Sequence, residues 1–128
     1  MTIISIVVPC YNEEEVIIET NKRLTSELNK LADKRNLKYE IIYVNDGSTD
    51  SSIATLMQLK LADPRVAIID LSRNFGKEIA TSAGISYAKG DATIMLDADG
   101  QHPPKYIPEF ISLWRKGQLS VTGVRAND

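Results

Sequence analysis

Apolar residues in this 128-residue chain gather in short runs, separated by stretches where they recur every three or four positions. Four runs, Ile3 to Val8, Tyr39 to Val44, Val66 to Leu71 and Ala92 to Leu96, are strand-length, β-branched and nearly continuous. Continuous rather than alternating runs mark strands covered on both faces. A weaker fifth run spans Leu119 to Val124. After the first run, Asn12 reads as an N-cap and Glu13 to Glu15 load the first turn of a helix. Its stripe is Ile17, Leu24, Leu28 and Leu31, and it should end near Lys34 to Asn36. Ile53, Leu56, Met57 and Leu61 mark a second helix stopped by Asp63 and Pro64, because the residue before a proline is driven out of the helical region. Ile79, Ala83 and Tyr87 mark a third, stopped by Gly90. Pro104, Ile107, Phe110, Ile111 and Trp114 outline a fourth, closing at Gly117. Strand and helix alternate throughout, which predicts an α/β fold: a mostly parallel sheet with right-handed crossovers and helices on both faces.

Composition narrows the class. With 43% hydrophobic and 25% charged residues the chain reads as one ordinary globular domain over residues 1–128, long enough to bury a core without staples. The lone Cys10 has no partner for an internal bridge, so a reducing, cytosolic setting is expected. Fifteen Lys and Arg against seventeen Asp and Glu give a formal net charge of -2, without the positive field that nonspecific nucleic-acid binding uses, so no nucleic-acid partner is expected. No apolar stretch approaches the roughly 20 residues that span a bilayer, and Met1 to Ser5 lack the basic segment of a signal peptide. A soluble chain is expected. It stops abruptly after Val121 to Arg125, which reads as a strand leading onward, so the natural domain is expected to continue past residue 128.

Ligands of open parallel sheets bind at the carboxyl ends of the strands, and there the polar residues collect. Pro9 to Glu13 follow the first strand, Asn45 to Asp50 the second, Ser72 to Lys77 the third and Asp97 to His102 the fourth. The strongest signal is Leu96-Asp97-Ala98-Asp99. Extended backbone puts Asp97 and Asp99 on the same side, where two carboxylates repel unless a cation lies near. A hard divalent ion, Mg²⁺ or Mn²⁺, answers that need and leaves positions for water and phosphate oxygens. Gln101 and His102 are near enough to add a ligand, although His102 beside two prolines fits a structural role better. The plain alternative for the pair is a solvated acidic turn.

Asp46, at the second strand's end, presents an acceptor-only side chain suited to the N–H of a nucleobase, while Gly47 makes the turn and Ser48, Thr49 or Asp50 can cap the next helix. Asn12 and Glu13 serve equally as caps, and Tyr11 either stacks on a base or fills a loop. Arg73, Lys77 and Arg125 are candidates for phosphate contacts. Cys10 has no base partner and is not expected to be a nucleophile. Phe110, Trp114 and Tyr87 read as core. An EF-hand is eliminated by Pro103, Pro104 and Trp114. A haloacid-dehalogenase-like phosphatase shares Asp-x-Asp-Gly but carries it on the first strand, usually before Thr. The phosphate cradles of dinucleotide folds and P-loop enzymes are missing.

Taken in order, Ile6 to Glu13, Val44 to Ser48 and Leu96 to Pro103 resemble the successive motifs of family 2 glycosyltransferases with the GT-A fold. Arg73 to Lys77, followed by a glycine-containing helix, is similar to the branch holding dolichyl-phosphate mannose synthases and bacterial undecaprenyl-phosphate glycosyltransferases. The resemblance runs from residue 3 to about 125. It implies a Rossmann-like GT-A nucleotide-binding half in which Pro9, Tyr11, Glu13, Val44 and Asp46 line the nucleoside pocket. Asp97 and Ala98 approach the ribose and phosphates, Asp99 and Gln101 hold the metal, and Arg125 reaches the donor phosphates. Asp97 and Asp99 are thereby the expected catalytic pair. The implied donor is a UDP- or GDP-sugar. The implied acceptor is a lipid phosphate such as a polyprenyl phosphate, or a saccharide, with inversion at the anomeric carbon. Gly100 departs from the leucine frequent in relatives without removing a ligand. Family members continue into a region carrying the catalytic base and acceptor groove, often with membrane helices, so membrane contact is expected only through such downstream regions, at the cytoplasmic face. A binding module without catalysis is the remaining alternative.

Overall fold

The computed structural model describes residues 2–98, 107–116 and 124–125. Its elements alternate as the pattern predicts: β1 (Thr2–Cys10), α1 (Glu14–Arg35), β2 (Leu37–Asp46), α2 (Ser52–Ala62), β3 (Val66–Leu71), α3 (Lys77–Tyr87), β4 (Ala92–Met95), α4 (Ile107–Arg115) and β5 (Val124–Arg125). The strands form one sheet in the order β3-β2-β1-β4-β5, every pairing parallel. Strand order therefore reverses at β1, which has β2 on one side and β4 on the other.

Register divides the side chains between two faces. Ile4, Ile6 and Val8 of β1 lie beside Tyr39, Ile41 and Tyr43 of β2, and these pack with Ile17, Leu24, Leu28 and Leu31 of α1, Leu56 of α2, and Ile107 and Ile111 of α4. The α1 stripe is buried as its spacing predicts, each side chain contributing about 1.5–3 kcal/mol of transfer free energy. Asn36, in the left-handed region at φ 52°, ends that helix. On the opposite face Val7, Ile42 and Val44 pack against Ala80 of α3.

That third helix does not present the expected face. Ile79 and Tyr87 are 54% and 47% exposed, while Ala80, Thr81 and Gly84 are buried. The reason is close approach: a Cβ on Gly84 would lie 2.4 Å from Val7 Cγ1 and 3.1 Å from Val44 Cγ2. Small residues fill the closest approach of α3 to the sheet, Ile85 packs partly buried beside them, and Ile79 and Tyr87 turn outward, with Lys89 over the ring of Tyr87. In α2, Leu56 is buried, whereas Met57 and Leu61 are exposed. Phe110 and Trp114 pack against the core as expected. Pro104 and Gly117 lie outside the described residues, and only Val124 and Arg125 of the fifth apolar run and its flank are described.

Candidate functional site

The reversal of strand order at β1 opens a crevice between the carboxyl ends of β1 and β4, where ligands of such sheets bind. A cleft of about 210 Å³ lies there, lined by Pro9, Cys10, Tyr11, Glu13, Asp46, Lys77, Asp97 and Ala98. The loops around it are tied to one another more than to their own helices. Asn12 adopts φ 52° and does not cap α1. Its Oδ1 instead accepts from Thr49 N at 2.8 Å and Asp50 N at 3.3 Å, and its own N–H donates to Ser48 Oγ at 3.0 Å. Ser48 Oγ in turn donates to Asn45 Oδ1 at 2.5 Å. The N-cap of α2 is Ser51, without a side-chain cap bond, rather than the expected Ser48, Thr49 or Asp50; Asp50, one residue earlier, has Oδ1 accepting from Ser52 N at 2.9 Å and Oδ2 from Glu14 N at 3.4 Å. The Ser52 hydroxyl bonded to it holds the Asp50 carboxyl below the usual carboxylate range against a smaller opposing effect of desolvation.

Asp46 is buried, and its carboxylate is already engaged. Oδ1 accepts from Phe75 N at 2.8 Å, and Oδ2 accepts from Gly76 N at 3.1 Å and Asn74 Nδ2 at 3.3 Å. The side chain therefore fastens the β3–α3 loop as well as lining the cleft. Gly47, next in sequence, has φ 69°, and a Cβ there would meet the backbone of Arg73 at 2.2 Å. The two loops run in backbone contact that only glycine permits. Arg73 stacks over Phe75, 4.7 Å from the ring centroid.

The β3–α3 loop delivers Lys77, the first residue of α3, to the cleft, where its ammonium forms an ion pair with Asp97 Oδ1. Asp97 follows β4, whose last turn of pairing is extended by Leu96 N donating to Val7 O at 2.9 Å. Cys10 is buried, and burial, reinforced by Glu13, pushes its thiol up, so it stays protonated and unreactive.

Six residues expected at a donor pocket, Pro9, Tyr11, Glu13, Asp46, Asp97 and Ala98, are thus brought together. Val44 is fully buried beneath α3 and is not among the lining residues. Arg125 pairs with Met95 through its backbone in β5. Asp99, Gln101 and His102 lie outside the described residues. Cys10 and Lys77 line the cleft without having been placed in the nucleoside set. Lys77, expected as a candidate phosphate contact, reaches the cleft from the third strand's loop. Among the described residues no group of three or more His, Cys, Asp or Glu gathers to hold a metal ion. The donor chemistry present suits a hard cation nonetheless: Asp97 offers oxygen at the cleft wall, where a cationic group already balances its charge. Among the described residues no helix is long and apolar enough to cross a membrane.

Comparison with known proteins assigns the class. Residues 5–127 match the family model described as glycosyl transferase family 2, and the chain belongs to that family. Its sheet and helices have the expected GT-A fold. It is 51% identical over 121 residues to an uncharacterized glycosyltransferase, YkcC, of Bacillus subtilis strain 168, covering 94% of this chain and 36% of the relative. It is 38% identical over 124 residues to a prophage bactoprenol glucosyl transferase homolog of Escherichia coli K12, covering 97% of this chain and 39% of the relative. Among solved structures it resembles a mannosyltransferase of Pyrobaculum calidifontis in complex with GDP-Man and Mn²⁺, with TM-score 0.64 and 24% identity over 75% of this chain and 27% of that one. The chain spans little more than a third of the length of the two curated relatives. Family membership sets aside the phosphatase reading of Asp97 to Gly100.

Proposed function

We propose that this chain is the donor-binding part of a glycosyltransferase that takes a sugar from a nucleoside diphosphate, with a divalent ion bound, and passes it with inversion to a polyprenyl phosphate at the cytoplasmic face of a membrane. The observation that carries the reading is the cleft at the β1–β4 switch, where Tyr11, Glu13, Asp46, Lys77 and Asp97 converge from four separate strand ends. The bactoprenol-directed relative supports the lipid-phosphate acceptor, and the mannosyltransferase complex supports a nucleotide sugar with Mn²⁺.

In this reading Tyr11, exposed at the cleft mouth, offers a stacking face to the base, and Pro9 and Glu13 border the nucleoside. Asp46 lines the pocket and anchors the loop beside it. Asp97 and Ala98 bound the ribose and phosphates, and Asp99 and Gln101 are the residues that would hold the ion. Bound there, a divalent ion supplies charge neutralisation of the leaving diphosphate as the sugar gains oxocarbenium character. The role of the chain's own side chains is orientation, since an acceptor phosphate is already anionic and needs little deprotonation.

Titration calorimetry with UDP-glucose, GDP-mannose, UDP and GDP, with and without Mn²⁺, tests the reading. Mn²⁺-dependent binding of one nucleotide series, lost in Asp99→Ala, is expected. Binding indifferent to both Mn²⁺ and Asp99→Ala refutes it.

A further inference from the structure

The charges around the cleft are unbalanced. Three carboxylates line it, from Glu13, Asp46 and Asp97, and Lys77 is the one cationic side chain among the lining residues described. A diphosphate entering such a wall meets repulsion, and among the described lining residues Lys77 is the side chain that attracts it. In the structure that ammonium is engaged by Asp97. The two partners differ in freedom. Asp97, two residues past β4, is 13% exposed, whereas Lys77 is 46% exposed on a flexible four-carbon stem. Its backbone is held in place, because Asp46 fixes the N–H groups of Phe75 and Gly76 directly before it.

We propose that Lys77 is a counter-ion shuttle: it caps Asp97 while the cleft is empty and moves to a diphosphate oxygen when the donor binds, so that cation and nucleotide enter together. This rests on the donor-binding reading above. Without nucleotide, the ammonium sits where a divalent ion is attracted and opposes it by like charge. With nucleotide, the same ammonium is drawn onto the phosphates and no longer opposes the cation. Lys77 therefore acts with opposite sign on the two ligands, weakening the binding of the ion alone and strengthening that of the nucleotide.

The test measures Mn²⁺ alone, by electron paramagnetic resonance of the free ion, and UDP and GDP in saturating Mn²⁺, by calorimetry, for the wild-type chain, Lys77→Gln and Lys77→Arg. Removing one charge-assisted phosphate contact is expected to weaken nucleotide binding about tenfold in Lys77→Gln. Mn²⁺ alone should bind several-fold more tightly to the same variant, and Lys77→Arg should restore both values toward wild type. Far-ultraviolet circular dichroism confirms that the partly exposed substitution leaves the fold intact. Wild-type binding with Lys77→Gln unchanged, or shifted in the same direction for both ligands, overturns the shuttle and leaves the donor reading standing. Failure of the wild-type chain to bind either nucleotide overturns both.

Discussion

Gly84→Ala is the most informative single change in the scaffold, because two opposing effects of known size meet at that residue. A methyl group there would sit 2.4 Å from Val7 Cγ1, more than an ångström inside the usual carbon–carbon separation of about 3.5–4.0 Å. Val7 and Val44 are fully buried in the middle of the sheet and have nowhere to retreat, so α3 itself must lift. Overpacking of this kind costs about 1–3 kcal/mol, and the severity of the contact places it near the upper end. Against it stands a gain of about 1 kcal/mol from replacing glycine inside a helix. The net expectation is a loss of about 2 kcal/mol in wild type. In a Val7→Ala background the severe contact is gone and only the 3.1 Å approach to Val44 Cγ2 remains, so the propensity gain should emerge and the same substitution should stabilise by up to about 1 kcal/mol. Urea denaturation of the four proteins in this cycle gives the coupling directly, expected at about 3 kcal/mol. Additivity within about 0.5 kcal/mol would refute the close packing of α3 on β1. Because α3 begins with Lys77, the single mutant should also bind nucleotide more weakly, and Val7→Ala should recover part of that loss.

Asp46→Asn replaces an acceptor by an amide whose NH₂ must face the backbone N–H groups of Phe75 or Gly76. A loss of about 1–3 kcal/mol is expected, with faster amide exchange at Phe75 and Gly76 by NMR; unchanged exchange there would contradict the anchoring role. Asp63 responds to two opposing influences: burial raises its carboxyl, and the hydrogen bonds and charge of Arg65 overcome this and hold it below the usual range. A depressed folded pKa gives stability that is present above the unfolded value of about 3.9 and lost as pH falls through the folded one. Wild type should therefore lose more stability than Asp63→Asn between neutral pH and pH 3 in thermal melts, and parallel curves would count against the pairing. Tyr43→Phe removes the hydroxyl that donates to Asn21 Oδ1 at 2.6 Å and should cost about 1 kcal/mol, read by denaturation with nucleotide affinity unaltered. Cys10 should react with a thiol-specific disulfide reagent only as fast as the protein opens, so labelling of the native chain on mixing would show that its burial is wrong.

The sequence displayed the architecture because β-branched runs and a leucine stripe are signals of hydrophobic mass, and hydrophobic mass is what most of this core uses. It misdirected at α3 for the same reason. There the packing is set by Ala80 and Gly84, whose smallness is the functional property, while the larger Ile79 and Tyr87 face outward. Six of the expected lining residues were legible because strand ends in a parallel sheet point at one crevice whatever the details. What short-range patterns could not reveal was partnership across loops. Asn12 has the composition of a cap for its own helix, but its left-handed backbone sends the side chain to Thr49 and Asp50. Asp46 has the look of a free acceptor, but three donors from residues 74–76 find it. Such contacts span 28 or more positions and leave no periodic trace in the chain.

The seam between β1 and β4 carries a kinetic consequence. Ile3 and Asp91, exchanging hydrogen bonds of 2.8 Å and 2.7 Å, lie 88 positions apart, whereas β1 meets β2 and β2 meets β3 across much shorter intervals. Pairings between remote segments are slow to form, since the entropy of closing the intervening loop is lost before any contact rewards it. The cleft straddles that late-closing seam, with Pro9 and Tyr11 on one bank and Asp97 and Ala98 on the other. A nascent or partly unravelled chain that has assembled only its first three strands thus lacks one bank of the cleft. Any ligand that grips both banks acts as a clasp on the finished molecule, lending its binding free energy to the complete fold alone.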